Sequence, residues 1–261
     1  MLKKFLEKIF SFLNLKIIKM ENYNTLKKLP RSIYVYALLN EQEKNKVVNF
    51  LNSSKSQLAQ DIFVISQTDK IDKNFFVEFG ATDGITNSNT FLLEKELSWD
   101  GILIEPAKIW HEDLFKNRNC KIDTRCIYTK SGEKMPFLIV ENDGEAEPGL
   151  STLKKYAKNG DWASKIRKTK SSEHFVETIN LNELLDFYKA PESITYMSID
   201  TEGSEYEILK NFDFSVREIK IITVEHNFHK LQREKIFKLL SSKGYKRIFT
   251  NISQFDDWYI I

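Results

Sequence analysis

Read for the spacing of apolar positions, the chain opens on MLKKFLEKIFSFLNLKIIKM, where Leu2, Phe5, Leu6, Ile9, Phe10 and Leu13 recur at helical intervals. Lys3, Lys4, Glu7 and Lys8 interrupt that run, so residues 1–20 predict a basic amphipathic helix and not a membrane span. Beyond Pro30 the spacing predicts helices over 41–51 and 57–66. The rhythm then changes. Short β-rich runs alternate with helical stretches: strand 75–79, helix 89–97, strand 101–105, helix 110–118 and strand 121–129. A hairpin over 135–140 and a long irregular segment, 141–175, interrupt the alternation. It resumes with helix 181–188, strand 194–199, helix 205–211, strand 219–224 and helix 233–242, and two strands near 245–249 and 258–261 close the chain. Such alternation predicts an α/β fold on a parallel sheet with right-handed crossovers.

Composition narrows the picture. A chain of 261 residues that is 41% hydrophobic can hold one large domain with a sizeable core. The expected organisation is a basic extension over 1–30 and a main domain over 31–261, with 141–175 as a lid-like insertion. The net charge of +2 is unevenly spread: residues 1–31 hold eight Lys or Arg against Glu7 and Glu21, which leaves −4 for the remainder. A mildly acidic body gives no reason to expect a nucleic acid partner. A basic amphipathic helix, by contrast, suits peripheral contact with an anionic membrane, or docking on its own domain. Cys120 and Cys126 fall on one expected strand, roughly 20 Å apart at about 3.3 Å per residue, too far to bridge. With no CxxC motif and no secretory cleavage pattern, the expected location is the reducing cytoplasm, at most peripheral to the membrane's inner face.

The candidate chemistry sits at strand ends. FFVEFGATDG places Glu78, Gly80, Asp83 and Gly84 between a strand and a helix, where a doubly wound sheet binds its nucleotide. The spacing is not G-x-G-x-x-G, and acids beside the turn suit a cationic ligand better than a pyrophosphate. The second strand ends in Glu105-Pro106, 21 residues after Gly84, where an acid can accept ribose hydroxyls. YMSIDTEGSEYEIL releases Asp200, Glu202 and Glu205 from a later strand, and TVEHN sets Glu225, His226 and Asn227 beside them. Carboxylates gathered there repel unless a cation or a shared proton intervenes. His226 beside Glu225 and Asp200 is a candidate general base, against the blander reading of a satisfied structural histidine. Residues 151–175 carry seven Lys or Arg against Asp161 and Glu173, which would suit a phosphorylated or nucleotide-linked substrate, although a solvated basic face is the commoner explanation.

SQLAQDIFV, FFVEFGATDGITNSNTFLLE, GILIEPAKIWH, LSTL, YMSIDTEGSEYEILKNFDF, ITVEHN and DDWYI, in that order, resemble the FkbM family of S-adenosylmethionine-dependent methyltransferases over roughly 56–261. The resemblance implies a class I Rossmann-like domain: a seven-stranded, mostly parallel sheet with a C-terminal antiparallel hairpin, preceded by N-terminal helices. It implies O-methylation, typically of a sugar or polyketide hydroxyl, with S-adenosyl-L-methionine as cofactor; a sugar or glycan precursor is the expected acceptor. Carried over, Glu78, Gly80 and Gly84 match the first cofactor motif, Glu105 the ribose-binding acid, and Asp200 to Glu205 the acidic motif of the fourth strand; Ala81, Asp83, Asn89 and Pro106 are expected beside them at the cofactor. Thr82 departs from the middle glycine of many methyltransferases. Gln57, Gln60 and Asp61 are expected to close over the cofactor. The grouping of Asp200, Glu225 and His226 is also similar to catechol O-methyltransferase, which implies a divalent cation; a histidine ligand shifts the expectation from magnesium toward manganese or no metal. Asp200, Glu225 and His226 are therefore both the expected catalytic residues and the expected metal ligands. The rival functions are a nicotinamide-dependent oxidoreductase on a similar sheet, disfavoured by the missing glycine fingerprint and the closing hairpin, and a non-enzymatic membrane-associated scaffold.

Overall fold

The computed structural model describes residues 30–141, 148–158, 160 and 162–261, so the amphipathic pattern expected over 1–20 lies outside the described residues. Helices α1 (Arg31–Leu38), α2 (Glu41–Val47) and α3 (Gln60–Gln67) precede the first strand. The start of α2 is set by a capping box: Asn40 Oδ1 accepts from the Glu43 N–H at 3.0 Å, and Glu43 accepts from the Asn40 N–H at 2.8 Å.

The main sheet contains β1 (Phe75–Phe79), β2 (Asp100–Ile104), β3 (Lys121–Asp123), β8 (Ser193–Ile199), β9 (Glu218–Glu225), β10 (Lys246–Ile248) and β11 (Asp256–Ile260). Their order is β10-β11-β9-β8-β1-β2-β3. All pairings are parallel except those of β11, which runs antiparallel to β9 and β10. This is the expected mostly parallel sheet with a closing antiparallel hairpin. Between them run α4 (Phe91–Leu97), α5 (His111–Asn117), α7 (Leu181–Phe187), α8 (Glu205–Lys210) and α9 (Lys230–Ser242).

Alternate residues of each strand enter opposite layers, as a two-residue period requires. Val77, Phe79, Met197, Ile199 and Ile222 pack in one buried cluster with Leu184 and Leu185 of α7, Leu209 of α8 and Leu240 of α9. Phe76, Tyr196, Ile221 and Trp258 pack in the other with Ile62 and Phe63 of α3 and Leu92 of α4. Each such side chain contributes about 1.5–3 kcal/mol on burial. Because the chain leaves β1 toward β2 on one side and returns through β8 on the other, a crevice opens at their carboxyl ends.

A second sheet, of β4 (Cys126–Tyr128), β5 (Lys134–Val140), β6 (Thr152–Leu153) and β7 (Ser171–Asn180) in the order β4-β7-β5-β6, corrects several expectations. The strand expected over 121–129 is two: β3, and β4 (Cys126–Tyr128) in the second sheet. The break follows from Asp123, whose Oδ1 accepts from the Arg125 N–H at 2.8 Å and whose Oδ2 pairs with the Arg125 guanidinium at 2.6 Å, turning the chain. Cys120 and Cys126 are free, as expected, but they do not share a strand. The hairpin expected at 135–140 is instead one strand, β5 (Lys134–Val140), paired with the distant β7 (Ser171–Asn180) and with β6 (Thr152–Leu153). Segment 141–175 is accordingly not a bare loop: its described residues supply β6, a short helix α6 (Ser164–Thr169) and the first half of β7.

Candidate active site

A cavity of about 470 Å³ occupies the crevice at the ends of β1, β2, β8 and β9, a size typical of small-molecule sites. Of the expected cofactor residues, Glu78, Gly80, Asp83, Asn89, Glu105 and Pro106 line it. Ala81 and Gly84 do not. Ala81 is buried and its N–H donates to the Ile104 carbonyl. Gly84 gives room to a neighbour: at φ +79°, an added Cβ would lie 2.6 Å from Cγ of Arg118. Gly80 serves a closer approach still, since a Cβ there would lie 2.3 Å from the Asp200 carbonyl oxygen. Of the N-terminal trio, Gln57 and Gln60 reach the cavity. Asp61 does not; its carboxylate accepts from Ser54 Oγ at 2.6 Å and from the Ile62 N–H at 2.8 Å.

An acid buried at the exit of β1 needs a partner, and the chain supplies it. Glu78 accepts from the Asn89 N–H at 2.6 Å, from Thr90 Oγ1 at 2.5 Å and from Ser88 Oγ at 3.0 Å. The buried Arg118 guanidinium stands 3.8 Å away and donates to Glu94 at 2.6 Å, to the Gly84 carbonyl at 3.0 Å and to Thr90 Oγ1 at 2.9 Å. This network fixes the turn after β1. Asp83 reinforces it by accepting from the Ile85 and Thr86 N–H groups at 2.8 and 2.7 Å. Asn89 donates through Nδ2 to Ser198 Oγ at 2.9 Å, which leaves its buried Oδ1 without a hydrogen-bond partner.

Glu105 is held by two backbone donors, the Thr82 N–H at 2.9 Å and the Ala107 N–H at 2.7 Å. Thr82 reaches it in the left-handed conformation, φ 48°, costly for a β-branched residue. Burial pushes the Glu105 carboxyl up to about 7.

At the other end of the cavity, oxygens of Asp200, Glu202 and Glu225 all lie within 4.8 Å of one another. Burial raises the Asp200 carboxyl, and Asp256 adds to the rise. Burial and then the charge of Asp200 hold the Glu225 carboxyl well above its ordinary range. Asn227, at φ 47°, donates through Nδ2 to Glu202 Oε2 and Glu225 Oε2, each at 2.9 Å. Glu202 Oε2 also accepts from the Arg167 guanidinium at 2.5 Å. Glu205 is occupied elsewhere: it accepts from the Thr201 and Gly203 N–H groups at 3.0 and 2.9 Å and from Gln232 at 2.5 Å.

His226 is a correction. Thr223, Glu225 and Asn227 line the cavity, and His226, one residue out of step, faces the opposite side of β9. Its Nδ1 accepts from the Phe228 N–H at 3.0 Å, its buried Nε2 lies 3.9 Å from Asp257, and burial lowers its pKa. It does not line the cavity with Asp200, but a small neighbouring pocket with Glu202, Glu225 and Asn227. The carboxylate that joins Asp200 and Glu225 is Glu202.

Sequence reading also passed over Asp256 and Arg167. Asp256 lines the cavity opposite Glu225 in the β9–β11 register, accepts from Gln60 Nε2 at 2.7 Å, and is raised by burial to about 7. The DDWYI motif was its signal. Arg167 is the single arginine among the basic residues of 151–175 and the one that is fully buried, whereas Lys154, Lys155, Lys158, Lys165 and Lys168 are exposed.

Residues 78–247 match the family described as Methyltransferase FkbM domain. No curated protein matches the chain. Among solved structures, the Methyltransferase FkbM of Methylobacillus flagellatus KT is similar at 11% identity and a TM-score of 0.47, covering 99% of this chain and 70% of that one. A precorrin-6y C5,15-methyltransferase of Geobacter metallireducens GS-15 is similar at 11% identity and a TM-score of 0.38, covering 77% and 85%.

Proposed function

The chain belongs to the FkbM methyltransferase domain family, and from that premise we propose that it is an S-adenosylmethionine-dependent O-methyltransferase acting on a hydroxyl of a sugar or glycan precursor. When bound, S-adenosylmethionine supplies an electrophilic methyl group. The residues suit it. Glu105 spends one hydrogen bond on each of two backbone donors, and a carboxylate with about four acceptor positions keeps others for ribose hydroxyls. The partnerless Oδ1 of Asn89 calls for a donor such as an amino group, because an unmet buried acceptor costs about 1–3 kcal/mol.

The observation that carries the reading is the pairing of a partly exposed Asp200 with the buried Glu225, both with raised carboxyl pKa, in the same cavity as Glu105. A carboxylate raised toward neutrality is a competent general base, and Asp200 would accept the proton of the acceptor hydroxyl, whose oxygen would take the methyl with release of S-adenosylhomocysteine. Positioning of that oxygen in line with the breaking bond provides much of the remaining rate. Support for a sugar comes from Trp110 and Trp162, which line the cavity while Trp162 stays 62% exposed at its mouth; flat aromatic faces suit the apolar face of a sugar ring. The exposed lysines of 154–168 favour a phosphorylated or nucleotide-linked form. Two free thiols favour the reducing cytoplasm. Among the described residues no helix is long and apolar enough to cross a membrane; peripheral contact through residues 1–20 rests on their basic amphipathic pattern.

The test is incubation with S-adenosylmethionine bearing a deuterated methyl group and a panel of nucleotide-linked and phosphorylated sugars, followed by mass spectrometry. Label on a sugar oxygen supports the proposal. Label on nitrogen or carbon, or on no member of the panel while peptides or lipids are labelled, contradicts it.

A further inference from the structure

Three carboxylates within 4.8 Å of one another demand positive charge or protons, and the expected answer was a divalent cation. The geometry gives another. Arg167 of α6, fully buried, places its guanidinium on Glu202 Oε2, and its Nε donates to the Leu150 carbonyl at 2.8 Å, which fixes the plane of the fork. Asn227 directs Nδ2 at Glu202 Oε2 and at Glu225 Oε2. Two of the oxygens that a magnesium, manganese or calcium ion could use at about 2.0–2.6 Å, Glu202 Oε2 and Glu225 Oε2, already have N–H hydrogens aimed at their lone pairs. A divalent cation would have to displace Arg167 and Asn227 from those two oxygens to gather all three acids.

We infer that Arg167, delivered by the segment between β6 and β7, is the resident cation of this carboxylate cluster, and that the site works without a divalent metal. Arg167 is a positioning residue: it holds Glu202, which with Asn227 holds Glu225 beside Asp200. A guanidinium suits the task, being charged at every physiological pH and presenting a planar fork. The same bond ties the second sheet to the end of β8, so docking of that segment and assembly of the acid cluster are one event. The inference deepens the methyltransferase reading by assigning the charge balance of its acceptor half, and it rests on that reading only for the site's purpose.

The experiment is titration of Mn²⁺, followed by electron paramagnetic resonance at pH 8, into the wild-type protein and into Arg167→Met, Arg167→Lys and the double variant Arg167→Met/Glu202→Gln. We expect no saturable Mn²⁺ uptake by the wild type or by Arg167→Lys. Arg167→Met gains a stoichiometric site, and the double variant loses it again. A fold defect would give loss, not this gain followed by loss. Stoichiometric uptake by the wild type that Asp200→Asn or Glu202→Gln abolishes overturns the inference, and so does an Arg167→Met protein with a normal melting curve that gains no site. If Arg167→Met does not fold, the wild-type titration decides alone, with uptake overturning and its lack supporting. S-adenosylhomocysteine binding, measured by calorimetry on the same wild-type preparation, separates the two readings: its failure removes the methyltransferase assignment and leaves the Mn²⁺ result standing.

Discussion

The carboxylate of Glu78 and the guanidinium of Arg118 lie 3.8 Å apart, both buried, where the exit of β1 meets the end of α5. Arg118 answers two acids, Glu78 and Glu94, and threads hydrogen bonds between them. Removing a guanidinium from such a place leaves uncompensated charge in the interior. Arg118→Leu is expected to lose about 3–5 kcal/mol of stability, read from the midpoint of urea denaturation. An unchanged midpoint would show that the network is ornamental.

Gly80 and Gly132 have nearly the same backbone conformation, φ +76° and +74°, but a Cβ at Gly80 would strike the Asp200 carbonyl oxygen while one at Gly132 meets nothing within 4 Å. Gly132→Ala is expected to cost about 1–2 kcal/mol, the strain of a left-handed L-residue alone. Gly80→Ala must cost more, because β1 and β8 would have to part at the cavity floor. Equal losses in thermal unfolding would mean that the close approach of these strands is not required.

Much of this was legible in the sequence because central strands are long apolar runs: β1 is found where the pattern put it, and β2, β8 and β9 within a residue at each end. What escaped was what periodicity cannot carry. The Asp123–Arg125 turn splits an otherwise continuous β-rich run, and β5 finds its partner β7 across a segment that reads as irregular. Adjacency of His226 to Glu225 in sequence does not give adjacency in the cavity, because a strand sends neighbours to opposite faces. Arg167 stands in a run of lysines that are mostly exposed, and a charge run gives no sign of which member is buried.

The placement of His226 on the far side of β9 has a kinetic consequence. His226→Asn is expected to leave kcat within about tenfold of wild type, while Asp200→Asn lowers it by about 10²–10⁴-fold, the usual span for a general base. A collapse of turnover in His226→Asn, with folding intact by circular dichroism, would return the histidine to the reacting centre.

Burial raises the carboxyls of Glu105 and Asp256 to about 7 and moves those of Asp200 and Glu225 in the same direction. The folded chain therefore holds more protons than the unfolded chain between the ordinary carboxylate range, about 4, and about 7. Their contribution is fully present below that window and is lost as pH rises through the folded pKa. Melting temperature should fall between pH 5 and pH 8, and fall less in Asp256→Asn. A steeper fall in that variant would contradict the assignment.

The central claim is that the acids leaving β1 and β2 frame an S-adenosyl ligand, with Glu105 as its ribose acceptor. Isothermal titration of the wild-type protein and of Glu105→Gln with S-adenosylhomocysteine at pH 8 tests it most directly. The account predicts one-to-one binding that weakens by about tenfold or more in the variant, the worth of a hydrogen bond to a charged group. No heat of binding in the wild type, or equal affinity in both proteins, would contradict it.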